Sequence, residues 1–183
     1  MEKTEKHGNV LDIVYIGVFA ALIAVCAWIS IPTTIPFTLQ TLGISTAIGV
    51  LGGKRGTVSI LVYIILGMIG LPVFAGFNGG IGVLFNATGG YIIGFLASGL
   101  LMWGIEAAFG RSRIILILSM IAGLILCYAF GTAWFMLVYS TSAGAIGLGY
   151  VLGNCVIPFI IPDLIKICVA VFLTSRIKKE ASL

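Results

Sequence analysis

The 183-residue chain is 60% hydrophobic and only 9% charged, whereas an ordinary soluble domain carries about 25% charged residues. That balance excludes a water-soluble globular protein and demands lipid as the solvent for most of the surface. The net charge of +4 comes from ten basic and six acidic residues, confined to short clusters, and no nucleic-acid partner is expected.

The charges divide the chain. Residues 13–53, 56–105 and 114–162 contain none. A span needs about 20 apolar residues to cross a hydrocarbon core of about 30 Å, so each gap holds two passes and a connecting loop. Helices are the expected spanning element, because backbone groups in lipid must be satisfied within the segment and the runs lack the polar alternation of a barrel. The fold class is an all-α integral membrane protein of six transmembrane helices in a single domain over 1–183. The spans are placed near 12–31, 39–53, 56–70, 87–109, 114–139 and 150–175.

The polar leader mixes Glu2, Glu5 and Asp12 with Lys3 and Lys6 and is followed by no A-x-A site, which argues against a cleaved signal. Val25 before Cys26 argues likewise against a lipoprotein site. On the first span, Gly17, Ala20, Ala21 and Ala24 make a smooth face that invites another helix, either within the chain or from a separate subunit. Pro32, Pro36 and Phe37 form the first loop, and Gln40 and Thr41 stand at the mouth of the second span. The turn Gly52-Gly53-Lys54-Arg55 is not a phosphate loop, since Ile48 occupies the position of the first glycine and Arg55 that of the hydroxyl residue. The chain is therefore expected to be no enzyme, with any ATP hydrolysis supplied by partners.

The third span leads into an uncharged loop containing Pro72, Phe74, Gly76, Phe77, Asn78, Gly79 and Gly80. Asn86-Ala87-Thr88-Gly89-Gly90-Tyr91 then opens the fourth span and brings together an amide, a hydroxyl and a phenol. Gly90, Gly94 and Ser98 recur at four-residue spacing, a packing pattern. Trp134 and Tyr139 on the fifth span suit either an aromatic belt or a pocket wall. Gly144 and Gly147 belong to the last loop. Asp163 and Lys166 are the most informative pair: each costs about 2.5 to 3.5 kcal/mol at the centre of a span. At i and i+3 they share a face, where they can pair with each other or grip a polar ligand. Asp163 lies 13 residues before Arg176, or roughly 20 Å along a helix, which places it in the outer half of the bilayer.

Six spans put Lys3, Lys6, Lys54, Arg55, Arg111, Arg113, Arg176, Lys178 and Lys179 on one side. By the positive-inside rule that side, with both termini, is cytoplasmic. Three uncharged loops then face outward and suit lids over an outward-facing pocket. The four cysteines have no paired spacing and the single histidine, His7, is in the leader, so neither a disulfide nor a metal site is expected, and no cofactor.

The segments Ile35-Pro36-Phe37-Thr38-Leu39-Gln40-Thr41, Thr88-Gly89-Gly90-Tyr91-Ile92-Ile93-Gly94-Phe95 and Pro162-Asp163-Leu164-Ile165-Lys166 together resemble the BioY family, the biotin-binding S components of energy-coupling-factor (ECF) transporters. The resemblance covers nearly the whole chain. It implies capture of biotin from outside a bacterial plasma membrane and delivery through a transmembrane T component with two cytoplasmic ATPases. The biotin-binding residues it implies, beside the polar inventory above, are Gln40, Asn86, Thr88, Gly89, Tyr91, Trp134, Asp163 and Lys166. Ala20 and Ala24 are expected to dock on the T component. The family often has Gly-Pro where this chain has Asn86-Ala87. An autonomous carrier, a ligand-free scaffold and an S component for another vitamin remain open at the level of the residues.

Overall fold

Polar backbone groups that lipid keeps from water must bond to one another, and the chain does so almost entirely as helix. The computed structural model describes residues 2–33, 35–143 and 147–181, with side chains for 10–33, 35–140 and 147–180. Gly144 and the side chains of Lys3, Lys6 and His7 lie outside that description. Helix α1 (Glu2–Trp28) leads to a two-stranded antiparallel hairpin, β1 (Ser30–Ile31) and β2 (Phe37–Thr38). Then follow α2 (Gln40–Leu51), α3 (Gly53–Met68), α4 (Gly82–Phe85), α5 (Gly89–Phe109), α6 (Arg113–Ala143), α7 (Leu148–Cys155) and α8 (Ile157–Ala181).

Among the described residues, four stretches are long and apolar enough to cross a membrane: Val10–Trp28, Gly89–Phe109, Arg113–Ser140 and Leu148–Glu180. Helices α2 and α3, with 12 and 16 residues, reach only about 18 and 24 Å, short of the hydrocarbon core. Two expected boundaries shift for local reasons. The first span stops at Trp28 because residues 30–31 pair with 37–38 across the proline-bearing loop. The last is interrupted at Val156, whose ψ of −58° comes with a φ of −127°. It resumes with Pro158 in its first turn and Pro162 inside α8, where the missing N–H leaves a backbone carbonyl one turn earlier unpaired.

The surface confirms the solvent. Ile69, Phe109 and Ile114 are each 71% exposed, an arrangement that water would not tolerate over so wide an area. Inside, α5 and α6 meet along small residues. A Cβ on Gly90 would strike Trp134, one on Gly131 would strike Tyr91, and Gly94 lies against Cys127. The single O–H of Ser98 is shared between the Gly94 and Gly123 carbonyls, 2.8 and 2.6 Å from Oγ, so the expected packing role of this face is what the structure shows.

Ala20 and Ala24 are placed otherwise than the docking expectation. They are 2% and 5% exposed, part of the core beside Ile23 and Ala27. Close approach of α1 and α2 explains this: a Cβ on Gly43 would already stand 3.3 Å from the Ile23 Cα. The small side chains serve an internal contact. Among the described side chains of α1, the uncovered small residues are Gly17 and Ala21.

The two ends of the bundle are built differently. At one end α2 and α3 are separated by Gly52 alone, at φ +87°. Glu106 accepts the Gly53 N–H at 2.8 Å, and Arg111 donates to the Gly49 and Val50 carbonyls, each at 2.9 Å. A carboxylate thus caps the start of α3 and a guanidinium the end of α2, each the sign that the helix dipole favours. At the other end stand the hairpin and the long α3–α5 loop. There Trp28 donates from Nε1 to the Pro72 carbonyl at 2.8 Å and stacks on Phe77 at 5.2 Å. Phe77 has φ +58°, a conformation that costs a non-glycine residue about 1 to 3 kcal/mol. The stack and the pairing of Phe74 with Asn78 hold it there.

Candidate ligand site

Beneath the hairpin and the long loop is a cavity of about 220 Å³. Its walls come from β2, the starts of α2 and α5, the middle of α6, the end of α7 and the first half of α8. Most of the lining is apolar or aromatic, including Phe74, Phe95 and Phe159, and its charged members are Asp163 and Lys166. That is the composition of a small-molecule site: apolar walls with a few placed polar groups.

Asp163 and Lys166 are 3% and 7% exposed and paired at 2.7 Å. Removing two such ions from water costs several kcal/mol each, recovered only if their remaining valences are filled. They are filled. Asp163 Oδ1 also accepts the Thr41 hydroxyl at 2.8 Å, and Oδ2 accepts the Tyr128 phenol at 2.6 Å. Lys166 donates a second bond to the Thr38 carbonyl at 2.6 Å. Its ammonium lies 4.2 Å from the centre of the Phe37 ring, which stacks on Phe159 at 5.7 Å. One charged pair thereby ties α8 to α2, α6 and the hairpin.

Of the expected site residues, Gln40, Asn86, Thr88, Tyr91, Asp163 and Lys166 line the cavity, as does Thr41. Gly89 and Trp134 stand behind it. Gly89 lets the start of α5 press against the Leu84 backbone, where a Cβ would collide. Trp134 donates from Nε1 to the Asn86 carbonyl at 3.1 Å and packs over Gly90, bracing the loop that carries Asn86. Tyr139 stacks on Phe135 at 5.6 Å, away from the cavity lining. Tyr128, Phe159, Cys127 and Cys155 line the cavity without having been singled out as site residues. Tyr128 left one faint signal, a phenol in the middle of an otherwise apolar run. The others are indistinguishable in sequence from core packing.

The sequence model of the BioY family matches residues 1–182. This chain belongs to the BioY family. It is similar to the biotin transporter BioY of Thermotoga maritima, with 42% identity over 164 residues, covering 89% of this chain and 93% of that protein. It is also similar to the probable biotin transporter BioY of Pyrococcus horikoshii, 38% identical over 170 residues, covering 91% and 96%. Among solved structures, the crystal structure of the S-component for biotin from an ECF-type ABC transporter superposes with a TM-score of 0.82 at 27% identity, covering 94% and 93% of the two chains. This BioY chain is thus a multi-pass membrane protein with the fold of an S component.

Proposed function

We propose that this chain is the substrate-capture component of an ECF-type importer, that its substrate is biotin, and that the cavity around Asp163 and Lys166 is where biotin sits. The observation that carries the proposal is the buried, hydrogen-bonded pair lining a mostly apolar cavity in a chain of this family. A charged pair kept only for stability is poorly explained, since apolar residues of similar volume usually serve as well or better. Biotin offers a carboxylate to an ammonium, ureido N–H groups to a carboxylate, and an apolar thiophane ring to aromatic walls. Lys166, Asp163 and the phenylalanines meet those needs, with Gln40, Asn86, Thr88 and Tyr91 as neutral polar contacts. Binding then exchanges one partner of each ion for a ligand group, so a molecule lacking either end pays for breaking the pair without replacing it.

The chain is not an enzyme. The Gly53 N–H, in the turn where a phosphate loop would need free amides, is already taken by Glu106, and ATP hydrolysis belongs to partner subunits. The partners are a transmembrane T component and two ATPases, and the ATPases carry the hydrolysis. Six passes, formed by α1, α2, α3, α5, α6 and α7 with α8, the bilayer thinning locally against the short α2 and α3, give one membrane domain with both termini and the basic turns in the cytoplasm of a bacterial cell and the cavity open to the outside. The uncovered face of α1 around Gly17 and Ala21 takes the T component.

A thermal-shift screen of vitamins against purified protein, with mass spectrometry of anything that co-purifies, tests the ligand. Stabilisation by biotin alone is expected, and stabilisation by another vitamin with none by biotin would overturn the assignment. Labels at Lys54, Arg111 and the C-terminus should react only from the cytoplasm and one at Asn78 only from outside. An externally reactive C-terminus would overturn the topology.

A further inference from the structure

One polar group of the cavity is held by a residue that never reaches the cavity. Gln40 lines the cavity and is 5% exposed. Its Nε2 donates to the Tyr63 phenol oxygen at 2.7 Å, while its Oε1 accepts the Thr38 hydroxyl at 2.9 Å. Tyr63 lies on α3, is 0% exposed and stands outside the lining. Its ring meets Phe74 edge-on at 5.6 Å, and Phe74 forms part of the wall.

A glutamine beside open space has several rotamers, and fixing one costs conformational entropy at the moment a ligand binds. Anchors at both ends of the amide remove that freedom beforehand. A primary amide has two N–H donors and two carbonyl lone pairs, so after Tyr63 and Thr38 take one each, one donor and one acceptor remain. Packing alone does not account for the phenol oxygen, since a phenylalanine would meet Phe74 with the same edge and would bury no hydroxyl. The Thr38 end is shared: its carbonyl takes Lys166 while its hydroxyl takes Gln40, so the amide and the ion pair hang from one residue.

We propose that Tyr63 is a positioning residue for ligand recognition, its phenol holding the Gln40 amide so that the free N–H and carbonyl meet a ligand group carrying an adjacent acceptor and donor, as a cyclic urea or a carboxylic acid does. The proposal rests on biotin being the ligand and adds how a residue outside the cavity sets the affinity for it.

Calorimetric titration of biotin into the parent, Tyr63→Phe, Gln40→Met and the double variant tests this. Tyr63→Phe keeps the ring and its contact with Phe74. It should bind about 5- to 20-fold more weakly, the loss expected when one neutral hydrogen bond and the order it imposes are removed. In the Gln40→Met background the same change should have no further effect, because Tyr63 acts through the amide. A Tyr63→Phe variant that binds like the parent, or an equal loss in both backgrounds, would overturn the inference while leaving the ligand assignment intact. A parent that does not bind biotin would overturn both. If Tyr63→Phe does not elute as a monodisperse species, 3-fluorotyrosine placed at 63 alters the strength of the hydroxyl with almost no change in shape. A shifted affinity is then expected, and an unshifted one would overturn the inference.

Discussion

The two ends of the bundle use charge in opposite ways, partly exposed at one and buried at the other. At the end with the tight turns, Glu106 and Arg111 bond to backbone groups that every helix terminus leaves open, and what they accomplish is complete within the chain. At the other end Asp163 and Lys166 bond mainly to side chains and to one carbonyl of the hairpin, beside empty space. Charge that caps helices builds a rigid base, whereas charge that faces a cavity can be handed over to a ligand. Breaking each set should therefore separate stability from binding.

The largest effect is expected at the cavity. Asp163→Asn and Lys166→Met should each weaken biotin binding by roughly 30- to 1,000-fold, corresponding to about 2 to 4 kcal/mol for a broken buried charged contact, as measured by calorimetric titration of detergent-solubilised protein. Next comes the contrast on α1. Ala21→Trp should leave biotin binding intact and abolish co-purification with a T component, because that side chain points away from the chain's own core. Ala24→Trp should instead damage folding, since overpacking a closed interface costs about 1 to 3 kcal/mol or more; the two outcomes are read from elution profiles and pull-downs.

At the base, Arg111→Met should lower stability by about 1 to 3 kcal/mol through lost charged bonds to the end of α2, seen as a reduced thermal midpoint. Biotin affinity should stay within about twofold of the parent, as expected for sites without shared partners. The smallest effect is expected from Trp28→Ala. It removes the stack on Phe77 and the bond to Pro72, which should speed biotin release by about 2- to 10-fold, in line with about 0.5 to 1.5 kcal/mol for an aromatic pair.

Charge spacing made most of this architecture readable from the sequence. The gaps between Asp12, Lys54, Arg55, Glu106, Arg113 and Asp163 locate the apolar segments because a charge in lipid is so costly. The same cost marks Asp163 and Lys166 as special. What the sequence hides is direction. Nothing in the four-residue spacing of Ala20 and Ala24 says whether their neighbour is α2 or another protein, and the structure turns them inward. Phe37 and Phe159 look like any apolar residue until the fold stacks them beside Lys166. Tyr128 becomes a partner of Asp163 only when α6 and α8 are brought together over a separation of 35 residues. The break at Val156 is foreshadowed by Pro158 and Pro162, but that α7 ends with Cys155 on the cavity wall shows only in the fold.

The central claim is that the cavity pair exists for the ligand and not for the fold, and the double variant Asp163→Leu with Lys166→Met tests it most directly. Replacing both ions by apolar residues removes the desolvation penalty along with the attraction, so a folded, monodisperse protein is expected. Biotin titrated into this variant should bind at least as weakly as to either single variant. A well-folded double variant that binds biotin like the parent would contradict the account, because the pair would then be no more than an internal tie.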